Sequence, residues 1–182
     1  MYVFFRLLKV NLFSRFKKVT NFFDEKSISF MTWPTDLDVF FHMNNGRYFT
    51  LADLARFDSL IRSGIMEVIK GHQCFPVVIA ETIQFKKSLK LFDKFQIKTK
   101  LIGWDDKSFY IRHTFICHQK VYAVGIIKGK IVKKSGGTIL PDNFLGLIGH
   151  KEPSPKIPQW IIDWSEQQKT ELIEIDNTVS VN

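Results

Sequence analysis

Cysteine is nearly missing from the chain. Cys74 and Cys117 are the only two in 182 residues. They make neither a disulfide framework nor a C-x-x-C metal motif, so no metal and no cofactor is expected. Two isolated thiols suit a reducing compartment, and cytoplasmic placement is the expectation. Long apolar runs are missing too. The stretch 1–19, MYVFFRLLKVNLFSRFKKV, is interrupted by Arg6 and Lys9, which keeps it short of the ~18–20 apolar residues that span a bilayer. It has no small-residue cleavage site of the secretory kind. Acidic residues number 18 against 26 basic ones, a formal charge of +8. Such a charge points to an anionic partner, a polyphosphate ligand or a membrane surface, or else to solubility alone. No nucleic-acid role is expected, because no recognised motif or interleaved aromatic-basic patch accompanies the charge. Internal repeats are absent.

Phenylalanine is abundant, with 18 residues, as a large apolar interior or pocket requires. The length suits one domain with a full core. The chain centres on residues 36–63. There a polar loop holding Asp36, Asp38, His42, Asn44 and Asn45 opens into a long apolar helix. Asn44 or Asn45 is the natural N-cap, since its side-chain oxygen can accept an N–H of the first turn. Gly64 is the natural stop. Phe49, Leu51, Ala52, Leu54, Ala55, Phe57, Leu60 and Ile61 cover more than one stripe, so the helix is expected to be buried on most sides. Asp58 and Arg62 read as an exposed i,i+4 pair.

Around this helix lie strand patterns. Residues 27–33 (SISFMTW) alternate up to Pro34. The apolar run 75–80 continues as a strand to about Lys87. Phe95, Ile97, Thr99 and Leu101 alternate with polar partners, as do Phe109, Ile111, His113, Phe115 and Cys117, and residues 121–132 form a further strand. The last four are expected to form an antiparallel meander. Pro141 opens a short helix to about residue 148. Pro153, Pro155 and Pro158 make a stiff connector to a helix over 158–175. Three parts follow: 1–25, a basic and apolar segment; 26–150, the main domain; and 151–182, the connector and C-terminal helix. The fold class is α+β, a curved antiparallel sheet of about five strands wrapped around one long helix, which is the hotdog architecture. Its free sheet edges favour pairing with a second copy, so a homodimer or homotetramer is expected. In the segment 1–19, Phe5, Leu8, Leu12 and Phe16 share a helical face. It either rests on a membrane surface as a peripheral contact or docks on the domain or a partner subunit.

The run Asp36-Leu37-Asp38-Val39-Phe40-Phe41-His42-Met43-Asn44-Asn45-Gly46-Arg47-Tyr48 resembles the D-x-D-x-x-G-H-[VM]-N-N-x-x-Y signature of hotdog thioesterases of the 4-hydroxybenzoyl-CoA thioesterase-like group. Within the group the likeness is to the branch of thioesterase superfamily member six. The pieces HMNNGRY, ARFD, Ser88-Leu89, LIGWDDKSFY and a C-terminal proline-rich Trp helix carry it over roughly residues 27–175. The resemblance implies that Asp38 is the catalytic carboxylate and that the backbone amide near Asn45 polarises the thioester carbonyl. Phe41 departs from the pattern by standing where the family has glycine, a residue with freer backbone conformations.

The chemistry also reads directly from the residues. A helix N-terminus offers unpaired N–H groups and partial positive charge, which can serve as an oxyanion hole. A neighbouring carboxylate can activate water or attack directly. Catalysis is therefore expected from Asp38, the Asn45 amide and His42. His42 has loop positioning as its plainer alternative, and Asp36 reads as a loop hydrogen-bonder. Asn44, Tyr48, Phe41, Glu81, Lys86 and Lys87 are the expected substrate-binding positions. Tyr48 is core or pocket wall, Glu81 an outside candidate for the base, and His113 a satisfied core histidine. Lys86 and Lys87, with Lys90, Lys128, Lys130, Lys133 and Lys134, form either a rim for coenzyme A phosphates or an ordinary solvated surface. The expected function is hydrolysis of a fatty or aromatic acyl-CoA, or of an acyl-carrier-protein thioester. The alternative is a non-catalytic hotdog protein that binds acyl-CoA or lipid.

Overall fold

The computed structural model describes residues 2–179. Met1 and residues 180–182, the tips of the two terminal segments, lie outside the described residues. Helix α1 (Tyr2–Ser14) leads into strand β1 (Lys26–Met31). A short 3-10 turn over Pro34–Asp36 precedes the central helix α2 (Asn45–Arg62) and α3 (Ile65–Gly71). Strands β2 (Cys74–Phe85), β3 (Lys94–Trp104), β4 (Phe109–Cys117), β5 (Lys120–Lys133) and the two-residue β6 (Thr138–Ile139) follow. Helices α4 (Pro141–Leu147) and α5 (Gln159–Val179) end the chain. This is the α+β hotdog arrangement, with a sixth, very short strand beyond the five expected.

Local chemistry explains the main helix. Asn44 caps α2, its Oδ1 accepting the Gly46 N–H at 2.9 Å, which satisfies one first-turn donor. Gly64 follows the C-cap in the left-handed region, φ +74°, where a side chain would be costly. Tyr48, Leu51, Ala52, Leu54 and Ala55 are buried. Each large apolar side chain removed from water in this way contributes about 1.5–3 kcal/mol. The Tyr48 ring meets Phe85 and Phe115 edge-on, at 4.9 and 5.0 Å between centroids.

The strand order is β1-β3-β4-β5-β2, every pair antiparallel, with β6 beside β5. This corrects the expected four-strand meander. Strands β3, β4 and β5 do follow one another, but β2 pairs with β5, not β3. Segment 86–93 carries the chain across to the far side, and β1 fills the edge of β3. The crossing segment passes under the start of α2: the Leu89 N–H donates to the Tyr48 hydroxyl at 3.2 Å, and the Met43 N–H to the Leu89 carbonyl at 2.9 Å.

Alternation along β4 assigns its two faces. Phe109, His113, Phe115 and Cys117 turn toward the α2 side and are buried. Tyr110 turns the other way and packs with Ile126 and Ile161 beneath α5. The connector to α5 presses on β3 at Gly103, where a β-carbon would come within 2.6 Å of Ile157 and 3.0 Å of the Pro155 carbonyl; only glycine leaves that space.

Helix α1 lies on α2 through polar groups. Asp58 is buried and accepts from Ser14 Oγ (2.6 Å), Lys17 Nζ (2.8 Å) and Arg62 Nη1 (3.3 Å). The expected exposed Asp58–Arg62 pair is thus a buried staple, because α1 covers it. Arg6 holds Asp36 at 2.8 Å and the Met31 carbonyl at 2.8 Å. Val10 lies buried on the same side, while Phe5, Leu8, Leu12 and Phe16 face outward.

Candidate active site

Two features meet at α2: a closed loop at its N-terminus and an apolar cavity along its body. The loop folds back on itself. The Asp38 N–H donates to the His42 carbonyl at 2.8 Å, and the Asn44 N–H to the Asp36 carbonyl at 2.8 Å. Leu37 and Met43 form an antiparallel bridge between the two arms. Asp38 Oδ1 accepts the N–H groups of Phe40 (2.9 Å) and His42 (3.2 Å), so the carboxylate is fixed within the loop that precedes α2. Its Oδ2 has no partner among the described residues.

Phe41 closes the turn with φ +58°. The left-handed conformation that glycine would supply is therefore present, carried by a phenylalanine at a backbone cost of about 1–2 kcal/mol. Its side chain is 77% exposed, so packing does not hold it there. Val39 and Phe40 beside it are exposed as well.

Asn44 occupies the Gly46 N–H with its side chain and the Arg47 N–H with its carbonyl, at 2.9 Å each. Among the described residues, the Asn45 N–H has no acceptor. It lies at the positive end of an 18-residue helix and is available to an oxyanion. Asp36 is wholly engaged by Arg6 and the Trp33 N–H (2.9 Å) and serves as a loop fastener. Tyr48 is core, not pocket wall: it is buried among the hydrophobic residues beneath the loop, and burial pushes its pKa up. His42 is half-buried and bridges Lys90 through the backbone.

The cavity, about 460 Å³, opens between α2 and the sheet and is walled by Leu54, Phe57, Leu60, Leu101, Phe109 and Ile127. Thr50 is the α2 lining residue nearest the loop. It lies five residues past Asn45, or about 8 Å along the helix axis. None of Asp38, Phe41, His42, Asn44, Asn45, Tyr48, Glu81, Lys86 or Lys87 lines it. The closed loop and the apolar chamber are thus successive along α2 rather than coincident.

Polar groups at the chamber were not anticipated. Asp53 and Arg56 pair at 2.5 Å across one helical turn, and both line the cavity. The sequence signal was a charged i,i+3 pair set among the apolar residues of the helix, beside Leu54 and Phe57. Glu81, on β2, is exposed; partial desolvation and then the Asp53 carboxylate raise its pKa, while Arg56 opposes them. His113 is fully buried. Its Nδ1 shares a hydrogen bond with Thr99 Oγ1 at 3.0 Å, yet its Nε2 has no partner among the described residues. It is a core histidine only half satisfied.

The lysines do not form one rim, because they sit on different segments and Lys128 is taken up by α5. Lys86 and Lys87 are exposed, their N–H groups both donating to the Tyr122 carbonyl (2.8 and 3.0 Å). Lys90 is adjacent to His42. Lys130 lines the cavity. Lys128 lies beneath α5, bonded to Ser165 and placed over the Tyr110 ring.

Residues 32–165 match the family model described as the thioesterase-like superfamily. The chain belongs to this superfamily. Protein THEM6 of Xenopus laevis is 32% identical over 149 residues, covering 80% of this chain and 70% of that protein. A probable thioesterase of Saccharomyces cerevisiae is 28% identical over 141 residues, 75% of this chain and 61% of its own. THEM6 proteins of Danio rerio and Drosophila melanogaster are matched over 63% and 57% of their lengths, so the chain spans less than two thirds of these relatives. Among solved structures, the YbaW probable thioesterase from Escherichia coli superposes with a TM-score of 0.62 at 21% identity, over 67% of this chain and 95% of that one. At that identity the superposition shows the hotdog fold.

Proposed function

We propose that this thioesterase-like protein hydrolyses an acyl-CoA thioester. The carrying observation is the pairing, at one closed loop, of an Asn45 N–H without an acceptor among the described residues and an Asp38 carboxylate aligned by two backbone donors. The carbonyl oxygen accepts from Asn45 as negative charge develops on it. Asp38 takes a proton from the attacking water, the carbon–sulfur bond breaks, and that proton passes to the departing thiolate; alternatively the carboxylate attacks the carbonyl carbon itself. The acyl tail runs along α2 into the chamber, and the exposed lysines 86, 87 and 90 attract the coenzyme A phosphates. An acyl-carrier protein is the alternative donor.

Strand β2 supports assembly as a homodimer or homotetramer. Its outer edge has no partner strand among the described residues and exposes Phe75, Ile79 and Phe85, a row that pairing with a second copy would cover. The outward apolar face of α1 favours peripheral contact with an anionic membrane in a cytoplasmic setting; no helix among the described residues is long and apolar enough to cross one.

The test is free-thiol release from a panel of acyl-CoAs and an acyl-carrier-protein thioester, wild type against Asp38→Asn. Loss of the base should lower kcat by roughly 10²–10⁴. Turnover unaffected by the change, or tight binding with no turnover of any substrate, overturns the catalytic reading; the latter outcome makes the protein an acyl-CoA binder. For the membrane reading, Leu8→Glu with Phe16→Glu in the full chain should abolish flotation with anionic liposomes.

A further inference from the structure

We infer that Asp93, Cys117 and His118 form a binding site for a divalent zinc-class ion, fastening the β4–β5 turn to the end of the crossing segment. One ligand atom from each residue lies within 4.8 Å of the other two. His118 Nε2 and Asp93 Oδ1 are 3.6 Å apart. That is long for a direct hydrogen bond. It is close to the about 3.3 Å that two ligands at ~2.0–2.1 Å subtend at a tetrahedral ion.

The supporting contacts are those a metal ligand set requires. Asp93 is oriented by its other oxygen, Oδ2, which accepts the Lys90 N–H at 2.8 Å. Oδ1 is thereby left directed at His118, the kind of outer contact that fixes a ligating carboxylate. Cys117 is buried, its Sγ 3.4 Å from the Lys94 carbonyl, with Tyr122 against it. His118 is 70% exposed, so three protein ligands are joined by a side open to solvent.

The turn itself is an independent sign. His118 and Gln119 both hold positive φ, +48° and +59°, in a two-residue hairpin connection. Asn-Gly would adopt that conformation at less cost. A histidine is thus held in a strained slot that brings its imidazole to Asp93.

Sulfur, nitrogen and carboxylate oxygen together select zinc over magnesium or calcium. On binding, the Cys117 thiol gives its proton to solvent and a zinc–sulfur bond forms. Thiolate and carboxylate then balance the ion locally; since the Asp93 charge is already counted in the +8, binding raises the net charge of the chain by one. The consequence reaches the active-site loop. Asp93 ends the segment whose Leu89 supports Met43 and Tyr48, so an ion there stiffens the floor beneath Asp38.

The experiment titrates metal-free full-length protein with Co²⁺ and Zn²⁺. One ion per chain is expected, with the visible absorption of tetrahedral cobalt and a thiolate-to-cobalt band. That band should survive in Cys74→Ser and vanish in Cys117→Ser. His118→Asn is the decisive variant, because asparagine suits the turn. It should raise the melting temperature of the metal-free protein and lower metal affinity by more than the roughly 10–100-fold that loss of an outer-shell partner costs. Absence of stoichiometric binding, or binding indifferent to His118→Asn, overturns the site whatever the thioesterase assay shows.

Discussion

Phe41 offers the sharpest test of the loop that carries Asp38. Its φ of +58° is one at which a β-carbon crowds the neighbouring carbonyl, at about 1–2 kcal/mol. Glycine removes that crowding, but its greater freedom in the unfolded chain returns about 0.5–1 kcal/mol. The side chain is exposed, so little packing is lost on truncation. Comparison of Phe41→Gly with Phe41→Ala isolates the backbone effect, since both variants remove the ring. The glycine variant should be the more stable by about 0.5–1 kcal/mol. At this chain length that is roughly 1–4 °C in melting temperature. Differential scanning calorimetry at one pH and ionic strength suffices, with urea midpoints as a check. Acyl-CoA turnover should persist in both, because the Asp38 acceptor geometry depends on the Phe40 and His42 N–H groups and not on the ring. A glycine variant that melts at or below the alanine variant would refute the left-handed turn, and with it the loop geometry that fixes Asp38.

Asp58→Ala should destabilise the fold by about 2–4 kcal/mol, since it leaves the buried Ser14 hydroxyl without its acceptor and Lys17 and Arg62 without their counter-charge; a urea midpoint shift worth under about 1 kcal/mol would contradict the staple. His113 is expected to set an acid limit. Burial, reinforced by the Arg56 cation, lowers its pKa to about 3, against about 6.5 in the unfolded chain. Below pH ~6.5 the unfolded chain therefore takes up a proton that the fold refuses, and stability falls with falling pH by up to about 1.4 kcal/mol per unit. His113→Gln should flatten the slope between about pH 6.5 and 4, read from urea midpoints; an unchanged slope would assign the acid sensitivity elsewhere.

Much of this architecture is written locally. The cap at Asn44, the stop at Gly64 and the alternation of β3 and β4 each depend on residues a few positions apart, and such patterns are readable along the chain. The apolar circumference of α2 implied a wrapping sheet, and the signature from Asp36 to Tyr48 located the loop. Other features come from positions far apart in sequence. The crossing of 86–93 sends β2 to β5, and no local period encodes which edge a strand joins. Asp58 became a buried staple only because α1 lies across it, and Lys128 left the expected rim because its strand position faces α5. Asp93 and the Cys117–His118 pair stand more than twenty residues apart, and antiparallel pairing of β3 with β4 alone brings them together. Periodicity and capping are short-range and were legible; pairing partners, burial by a distant helix and side-chain clusters depend on chain closure, which the tertiary structure alone decided.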